Sequence, residues 1–311
     1  MAEKILTIVG PTASGKTSLA IDLAKKINGE VISLDSRQIY KGMCIGTAQP
    51  TKKERLGVKH HLIGCFPPSK NISSGKYFSM VKDKIGEIKK QNKKPIICGG
   101  SGLYYRAIQK GIFKGSKSNF QIRDRLDSEY LKDPQILYEK LKYIDEEYSK
   151  IVHINNKQRL IRALEIFEST GKSPSDHFQF QKLNPVRTIK LYTVFLKWER
   201  NTINTRINDR TKEMFQQGWI REVKNLLELQ KEHNKEFPPL NSIGYKHIKA
   251  YLNSEITKDD MLNLITIRTR QFARRQEKWF KKEPIDLYLQ MDQLEKKKIP
   301  EILDCFLARI L

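Results

Sequence analysis

The sequence predicts an α/β protein in which a parallel sheet is flanked by helices and interrupted by an all-helical insertion domain. A glycine-rich loop directly follows the apolar run Ile5–Val9, in the order strand, loop, helix. Short apolar runs alternate with helical patterns through the first third of the chain, which is typical of βαβ units. Strand-like runs are missing from 118 to 183, and this change of pattern predicts the insertion.

Residues 10–17 read GPTASGKT and match the phosphate-loop pattern G-x-x-x-x-G-K-[ST]. The glycines permit a tight turn whose N–H groups surround an anion, Lys16 adds a positive charge, and the Thr17 hydroxyl suits Mg²⁺. The helix that follows directs its positive dipole end at the same anion. The fold is therefore predicted to be P-loop NTPase-like, although the motif does not identify the phosphate compound. The predicted phosphate-binding residues are Gly10, Pro11, Thr12, Ala13, Ser14, Gly15, Lys16 and Thr17.

Two further strands are predicted at 30–34 and 94–98, separated from the first and from each other by helices at 17–27 and 76–91. Crossovers of this kind give a parallel sheet, whose ligands lie beyond the carboxyl ends of the strands. The phosphate loop, Asp35 and the glycine turn at 99–102 all fall at such ends. We therefore expect them to meet around one crevice.

The domain boundaries follow from the change in pattern. Residues 118–183 form the predicted helical insertion, with helices at 120–142 and 158–169. The catalytic core is predicted to comprise 1–117 and 184–311, and a strand at 188–196 rejoins the sheet. The remaining predicted elements are helices at 200–217, 219–232, 242–252 and 257–281.

The composition points to a polyanionic partner. The chain of 311 residues has 58 Lys and Arg against 35 Asp and Glu, a net charge of +23. Nucleic acid is the simplest partner for such a charge, and the alternative is a lysine-rich surface without a specific partner. No apolar stretch is long enough for a membrane span, and the four cysteines stand far apart, so we expect a cytoplasmic protein with free thiols.

Polar residues follow the second and third predicted strands. Asp35 is suited to accept a proton or to hold metal-bound water, and the next three residues, Ser36, Arg37 and Gln38, are suited to bind phosphate or a base edge. The structural alternative is a helix cap at Asp35 or Ser36. Ser101 lies in the glycine turn, where a hydroxyl for a ligand and an ordinary capped turn are equally good interpretations.

Basic residues recur at helical spacing in the second half of the chain. Arg159 and Arg162 share one helix face, which suits either contact with a phosphate backbone or plain exposure to solvent. Arg206 and Arg210 are spaced to clamp an anion or to pair with neighbouring acids. The helix at 257–281 has one side suited to pack on the body and another suited to a phosphate backbone. Its apolar stripe is Leu262, Ile265, Phe272 and Trp279, and its basic row is Arg270, Arg274, Lys278 and Lys281.

Several sequence strings together resemble the tRNA dimethylallyltransferase (isopentenyltransferase) family of bacterial type. They occur in the family's order and span nearly the whole chain. The phosphate loop is shared with many nucleotide enzymes, whereas DSRQ, the GLY string and the C-terminal string are far more specific. The matching strings are GPTASGKT, DSRQIY, IGTAQP, HHLIG, GGSGLYYRA, NNKQRLIRALEIFESTGKSPS, SIGYKH and TRQFARRQEKWF.

The resemblance implies transfer of a dimethylallyl group from dimethylallyl diphosphate to N6 of the adenosine 3′-adjacent to the anticodon in tRNA, with release of diphosphate. The phosphate loop, with Arg206 and Arg210, would then hold a prenyl diphosphate with Mg²⁺ on Thr17. By the same resemblance Asp35 is the general base, Ser101 supports the adenine amine or the diphosphate by hydrogen bonding, and Lys16 stabilises the leaving group.

The residues that resemble family tRNA contacts are Asp35, Ser36, Arg37, Gln38, Ser101, Arg123, Gln158, Arg159, Leu160, Ile161, Arg162 and Ala163. Arg270, Arg274 and Lys278 are added to them from the charge of the C-terminal helix. The sequence departs from the family's usual pattern at Gln49, Gly64 and 156–157.

Three other functions remain open at this point. A small-molecule kinase would turn over ATP without tRNA, and an adenine-nucleotide prenyltransferase would not need the RNA-holding segments. A non-catalytic RNA-binding protein would not need Lys16 or Thr17, and both are present. The partners expected for the favoured function are tRNA, dimethylallyl diphosphate and no membrane. We expect a monomer, because a strongly basic surface repels its own copy.

Overall fold

A computed structural model describes residues 4–111, 119–184, 189–294, 301 and 304. These residues divide into two compact units, Met1–Gln109 with Ile189–Leu311, and Lys110–Thr188. The strands are β1 Ile5–Val9, β2 Gly29–Leu34, β3 His60–His61, β4 Lys94–Gly99, β5 Leu191–Lys197 and β6 Leu287–Gln290. The helices are α1 Lys16–Lys26, α2 Ser74–Lys90, α3 Gly102–Lys110, α4 Phe120–Lys132, α5 Pro134–Ile144, α6 Glu146–Ser149, α7 Lys157–Thr170, α8 Pro174–Leu183, α9 Arg200–Gln216, α10 Trp219–Glu232, α11 Tyr245–Leu252 and α12 Lys258–Phe280.

The first unit is built on a parallel sheet with the strand order β3-β2-β4-β1-β5-β6. Successive side chains of β1 enter opposite layers: Leu6 and Ile8 pack with the apolar face of α1, whereas Ile5 and Val9 join the core beneath α2, α3, α11 and α12. Burial on both faces explains why the strands are almost wholly apolar. The parallel arrangement flanked by helices confirms the predicted fold class.

The second unit is helical among its described residues. Helices α4, α5 and α7 bury a core that includes Leu126, Leu137, Leu141 and Leu164. The predicted single helix at 120–142 is wrong, because Asp133 ends α4 and caps α5. Its carboxylate accepts a hydrogen bond from the Gln135 N–H at 2.8 Å, and Pro134 occupies the first helical position.

Two strands were missed. β3 has two residues and pairs with β2, while β6 has four residues and extends the sheet beyond β5, within a stretch for which the sequence predicts no element. Such short strands leave too little periodicity to be recognised in the sequence. The helix predicted at 242–252 begins instead at Tyr245, after a 3₁₀ turn at Pro238–Asn241. Of the predicted strand at 188–196, Thr188 lies outside the described residues.

The sheet is tightest where β2 and β4 meet. A Cβ atom on Gly99 would lie 2.2 Å from the backbone oxygen of Leu34, whereas one on Gly86, exposed in α2, would meet nothing within 4 Å. Gly99→Ala is therefore expected to lower the free energy of unfolding by about 1–3 kcal/mol through overpacking. Urea denaturation measures the change.

Gly86→Ala provides the matched control. It removes a flexible residue from an exposed helix interior and is expected to raise the free energy of unfolding by about 0.4–1 kcal/mol. Equal effects of the two substitutions would contradict the close approach of β4 to β2.

Candidate active site

The phosphate loop leaves β1 at its carboxyl end and leads into α1. Gly10 has a φ of 154° and Gly15, which caps α1, has a φ of 85°. No side chain bonds to the first turn of α1 at that cap. The N–H groups at the start of this 11-residue helix are thus not occupied by a capping side chain, as an anion-binding helix start requires.

Lys16 reaches back across this loop. Its ammonium donates hydrogen bonds to the backbone oxygen of Pro11 at 2.6 Å and to Ser14 Oγ at 3.4 Å. Burial away from water lowers the pKa of Lys16 from 10.5 to about 8, and the nearby Arg210 charge lowers it further, against the opposing effects of Cys98 and Asp35. An anion in the loop would restore the charged form.

The two arginines predicted for the diphosphate both extend from α9 onto the loop. Arg206 Nε donates to the backbone oxygen of Ala13 at 2.8 Å, and Arg210 Nη1 donates to Thr12 Oγ1 at 3.2 Å. Trp198 supports this contact, since its ring lies 4.4 Å from the Arg206 guanidinium and its Nε1 donates to the Ser14 oxygen at 3.0 Å. The loop therefore has three cations around it.

Asp35 has one of the two roles that its sequence position suggested, that of a cap. Its Oδ1 accepts hydrogen bonds from the backbone N–H groups of Arg37 at 2.7 Å and Gln38 at 3.2 Å, so the carboxylate caps the turn after β2. Within the described part of the chain, Oδ2 has no such partner. One oxygen is thus fixed in place while the other remains for a ligand.

Gln38 is different, because its side-chain amide is used inside the protein. Its Oε1 accepts from Ser33 Oγ at 2.8 Å, and its Nε2 donates to the backbone oxygens of Thr47 and Ala48 at 3.1 and 3.0 Å. This amide holds the 43–49 segment and would have to break those bonds to contact a base.

Ser101 stands in the glycine turn between β4 and α3. Its backbone N–H donates to the Leu34 oxygen at 3.1 Å, which ties the turn to the end of β2. The next residue, Gly102, lies against an indole, since a Cβ there would come within 2.4 Å of the Trp279 ring. Ser101 and Asp35 both line the same cavity.

Two adjoining cavities meet at these loops. The larger, of about 860 Å³, is lined by the phosphate loop together with Lys16, Thr17 and Arg206. The smaller, of about 460 Å³, is lined by Ser36, Arg37 and Ser101 and by apolar and aromatic side chains, which are Ile207, Met214, Trp219, Phe272 and Trp279. Their shared walls include Thr12, Ala13, Asp35, Gly100, Arg210 and Gln276. A charged compartment thus borders a mainly apolar one, with Asp35 at the junction.

The residues of the larger cavity fit Mg²⁺. Thr17 and Asp35 both line it, and a hydroxyl and a carboxylate are the hard oxygen ligands that Mg²⁺ takes together with phosphate oxygens and water. Among the described residues, no group of three or more His, Cys, Asp or Glu side chains is arranged to hold a metal by itself. A substrate phosphate would have to complete such a site.

The basic row on α12 is only partly at the surface. Arg274 and Lys278 are exposed, but Arg270 is half-buried and donates from Nη2 to Asn208 Oδ1 of α9 at 2.8 Å. The predicted apolar stripe is wrong at Phe272, which is exposed and lines both cavities. The residues buried on α12 are Met261, Ile265, Ala273, Gln276 and Phe280.

The second unit carries the other predicted RNA-binding residues. Gln158 and Arg159 are exposed on α7, whereas Arg123 and Arg162 bond to the fully buried Glu165 carboxylate at 2.8 and 2.6 Å. Three further predicted contacts, Leu160, Ile161 and Ala163, belong to the hydrophobic core of this unit. The prediction is corrected for these three, because α7 turns their side chains inward and not toward a ligand.

Glu222 is a residue of the site region that the sequence reasoning missed. Its carboxylate accepts from the backbone N–H groups of Ile45 and Gly46 at 2.7 and 3.0 Å and from the Tyr245 hydroxyl at 2.7 Å. It thereby holds the segment whose Thr47 lines both cavities. Burial, and then the Glu222 charge, raise the pKa of Tyr245. No motif marks such an acid, because its partners are distant backbone groups.

Comparison with known proteins identifies one family. A family model described as IPP transferase matches residues 38–283. A tRNA dimethylallyltransferase of Thermoanaerobacter sp. strain X514 is 41% identical over 289 residues, with 90% of both chains covered, and that of Acetivibrio thermocellus is 36% identical with 98% of both covered.

Solved structures agree with the sequence matches. The tRNA isopentenylpyrophosphate transferase of Bacillus halodurans is 35% identical, with a TM-score of 0.71 over 99% of this chain and 97% of its own. A eukaryotic dimethylallyltransferase described as acting on tRNA is 29% identical, with a TM-score of 0.83 over 99% of this chain and 80% of its own.

The lowered pKa of Lys16 predicts proton uptake with diphosphate. Above pH 8 the free ammonium is partly deprotonated, and a bound diphosphate will recharge it because an opposite charge favours the protonated form. Calorimetric titration with inorganic diphosphate, in buffers of different ionisation enthalpy, measures the uptake. Lys16→Arg stays charged and is expected to take up less.

The lowered pKa of Lys16 also determines how the free energy of unfolding of the ligand-free protein changes with pH. Between pH 8 and 10.5 the unfolded chain binds more protons at Lys16 than the folded chain does. The Lys16 contribution to the free energy of unfolding therefore rises with pH over that window. In the calorimetric titration with diphosphate, equal proton uptake by the wild type and Lys16→Arg would contradict the lowered pKa of Lys16.

Proposed function

The chain belongs to the tRNA dimethylallyltransferase (IPP transferase) family, and we propose on this basis that it transfers a dimethylallyl group from dimethylallyl diphosphate to N6 of the adenosine 3′-adjacent to the anticodon. The observation that carries the proposal is the junction of the two cavities. A cationic phosphate loop lies on one side, an apolar and aromatic compartment lies on the other, and Asp35 is shared by both. A reaction between an anionic donor and a planar base requires these two environments side by side.

In this proposal the diphosphate binds in the larger cavity. Lys16, Arg206 and Arg210 surround the loop and stabilise the charge that develops on the departing diphosphate. We propose that Thr17 would hold Mg²⁺ in this cavity, where the ion would supply further neutralisation of that charge. The C–O bond of the allylic carbon breaks as the electron pair leaves with the diphosphate.

In the same proposal the adenine binds in the smaller cavity, which it enters after leaving the base stack of the tRNA. An exocyclic adenine amine is a poor nucleophile, so removal of its proton as the N–C bond forms lowers the barrier. Asp35 accepts that proton through its free oxygen. Ser101, in the same cavity, supports the amine by hydrogen bonding.

We propose that the tRNA contacts basic side chains that are exposed within each unit. On α12 these include Arg274 and Lys278, and on α7 they include Arg159. No described helix is both long and apolar enough to cross a membrane. We propose that the enzyme acts as a monomer in the cytoplasm, the compartment that contains its tRNA substrate.

The direct test is a paired assay on the purified protein with Mg²⁺. One arm contains labelled dimethylallyl diphosphate and unmodified tRNA, and the other contains ATP without tRNA. Label in the tRNA, mapped to the adenosine next to the anticodon, and no ATP turnover are expected. ATP turnover without labelled tRNA would instead identify a kinase.

The substitution Asp35→Asn distinguishes the proposed role of Asp35 as general base from its role as a cap. The asparagine Oδ1 can still accept from the Arg37 and Gln38 N–H groups, whereas the group facing the cavities can no longer take a proton. We expect turnover to fall by about 10²–10⁴-fold, the usual contribution of a general base, with tRNA affinity unchanged.

Asp35→Ala is the comparison, since it removes the cap as well and is expected to lower the free energy of unfolding by about 1 kcal/mol. Normal turnover in Asp35→Asn would show that Asp35 is a cap and not the base.

The basic face of α12 is tested by reversing two charges. Arg274→Glu with Lys278→Glu is expected to weaken tRNA binding and to reduce the slope of log K against log salt by about 0.7–0.9 for each phosphate that the helix no longer neutralises. Filter binding across a salt series measures both quantities.

The control reverses the exposed Lys82 and Lys90 of α2 to Glu, which changes the net charge equally. If both double variants bound alike, α12 would contribute only through net charge and would make no local contact with the tRNA.

A further inference from the structure

Gln276 is a buried amide on the core face of α12. It is 7% exposed, and Ala273 and Phe280 on either side of it along the same face are apolar and buried. An unpartnered amide at such a position would destabilise the fold, so its hydrogen bonds identify its role. Both ends of the amide are matched. Oε1 accepts from the Thr12 N–H at 2.8 Å, and Nε2 donates to the Gly100 oxygen at 2.9 Å.

The two partners belong to different loops. Thr12 lies in the phosphate loop after β1, and Gly100 lies in the glycine turn after β4, the strand that pairs with β1. A backbone N–H only donates and a backbone carbonyl only accepts, so these partners define one orientation of the amide. The approach is close, since a Cβ on Gly100 would lie 2.2 Å from Gln276 Nε2.

This bridge stands at the junction of the two cavities. Thr12, Gly100 and Gln276 line both, together with Asp35. The same turn of α12 exposes Arg274 and Lys278, which flank Gln276 in sequence. The bridge therefore connects the diphosphate loop and the glycine turn that precedes Ser101 to the helix assigned to tRNA.

We propose that Gln276 is a positioning residue, whose amide sets the distance between the phosphate loop and the glycine turn and so aligns the prenyl diphosphate with the adenine amine. The proposal rests on the proposed function. Both ends of its amide are bonded to backbone groups, and it acts through the two segments that it holds. Loss of the bridge lets two walls of the reaction site move independently, and small misplacements of reactants reduce rates strongly.

Two substitutions of Gln276 change the two hydrogen bonds of the bridge in different ways. Gln276→Met keeps the length of the side chain and removes both hydrogen bonds. Gln276→Glu keeps an acceptor for the Thr12 N–H but, when ionised, places a second acceptor against the Gly100 oxygen. A protonated glutamic acid can donate to that oxygen and restore the bridge, so activity of this variant relative to the wild type is expected to rise as the pH falls.

The experiment measures kcat, KM for dimethylallyl diphosphate and Kd for tRNA in the wild type and both variants, with urea denaturation as a check on folding. For Gln276→Met we expect kcat to fall by roughly ten- to hundredfold. The Kd for tRNA is expected to stay within about twofold of the wild-type value, which is a small change in binding free energy. Gln271→Met is the control. Gln271 is on the same helix and accepts only a local bond from Arg268 among the contacts described, and its variant is expected to keep the wild-type kcat.

Three results would overturn the proposal. They are a wild-type kcat in a folded Gln276→Met, a loss confined to tRNA affinity, and a Gln276→Glu variant whose relative activity is independent of pH. If the wild type itself transfers no prenyl group, the proposed function fails. The binding of inorganic diphosphate then tests whether Gln276 positions the phosphate loop. Weaker binding in Gln276→Met than in Gln271→Met then supports a loop-positioning role, and equal binding excludes it. If Gln276→Met does not fold, the pH profile of Gln276→Glu decides.

Discussion

Burial of both faces of the parallel sheet is the constraint on which the site depends. Apolar side chains of the first unit's strands are covered by α1 on one face and by a larger helical layer on the other, so both faces are occupied by packed side chains. Ligands of such a sheet bind at the edge where the strands end. Because β1, β2 and β4 are neighbours, the phosphate loop, Asp35 and the glycine turn emerge side by side at that edge.

The sequence contains much of this arrangement because the information is local. A phosphate loop requires its glycines, its lysine and its threonine at fixed offsets, and strands buried on both faces read as apolar runs. The partners of Glu222 and Gln276 are instead backbone groups far away in the chain. A buried glutamine in a basic helix gives no periodic signal, and the two residues of β3 are too few to give one.

The electrostatics show why counting charges overestimates an RNA-binding surface. Arg123 and Arg162 share the buried carboxylate of Glu165, whose pKa is lowered by these two neighbours against the effect of its burial. A carboxylate buried in this way needs its partners, because removing one leaves an uncompensated charge. These arginines therefore stabilise the second unit, and the sequence could not reveal it, since Glu165 lies on the apolar side of α7 among core residues.

The two interpretations of Asp35 are compatible in this structure. A cap and a general base compete only if they use the same oxygen, and here the two N–H groups bond to Oδ1 alone. In the proposed reaction capping would assist the base, since the fixed carboxylate needs no reorientation as the proton arrives. Gln276 extends this principle from a side chain to the loops themselves, because an amide with both ends bonded fixes two backbone segments at once. The site is thus held by hydrogen bonds between the side chains of Asp35 and Gln276 and backbone groups, while Lys16, Arg206 and Arg210 surround the loop in which an anion would bind.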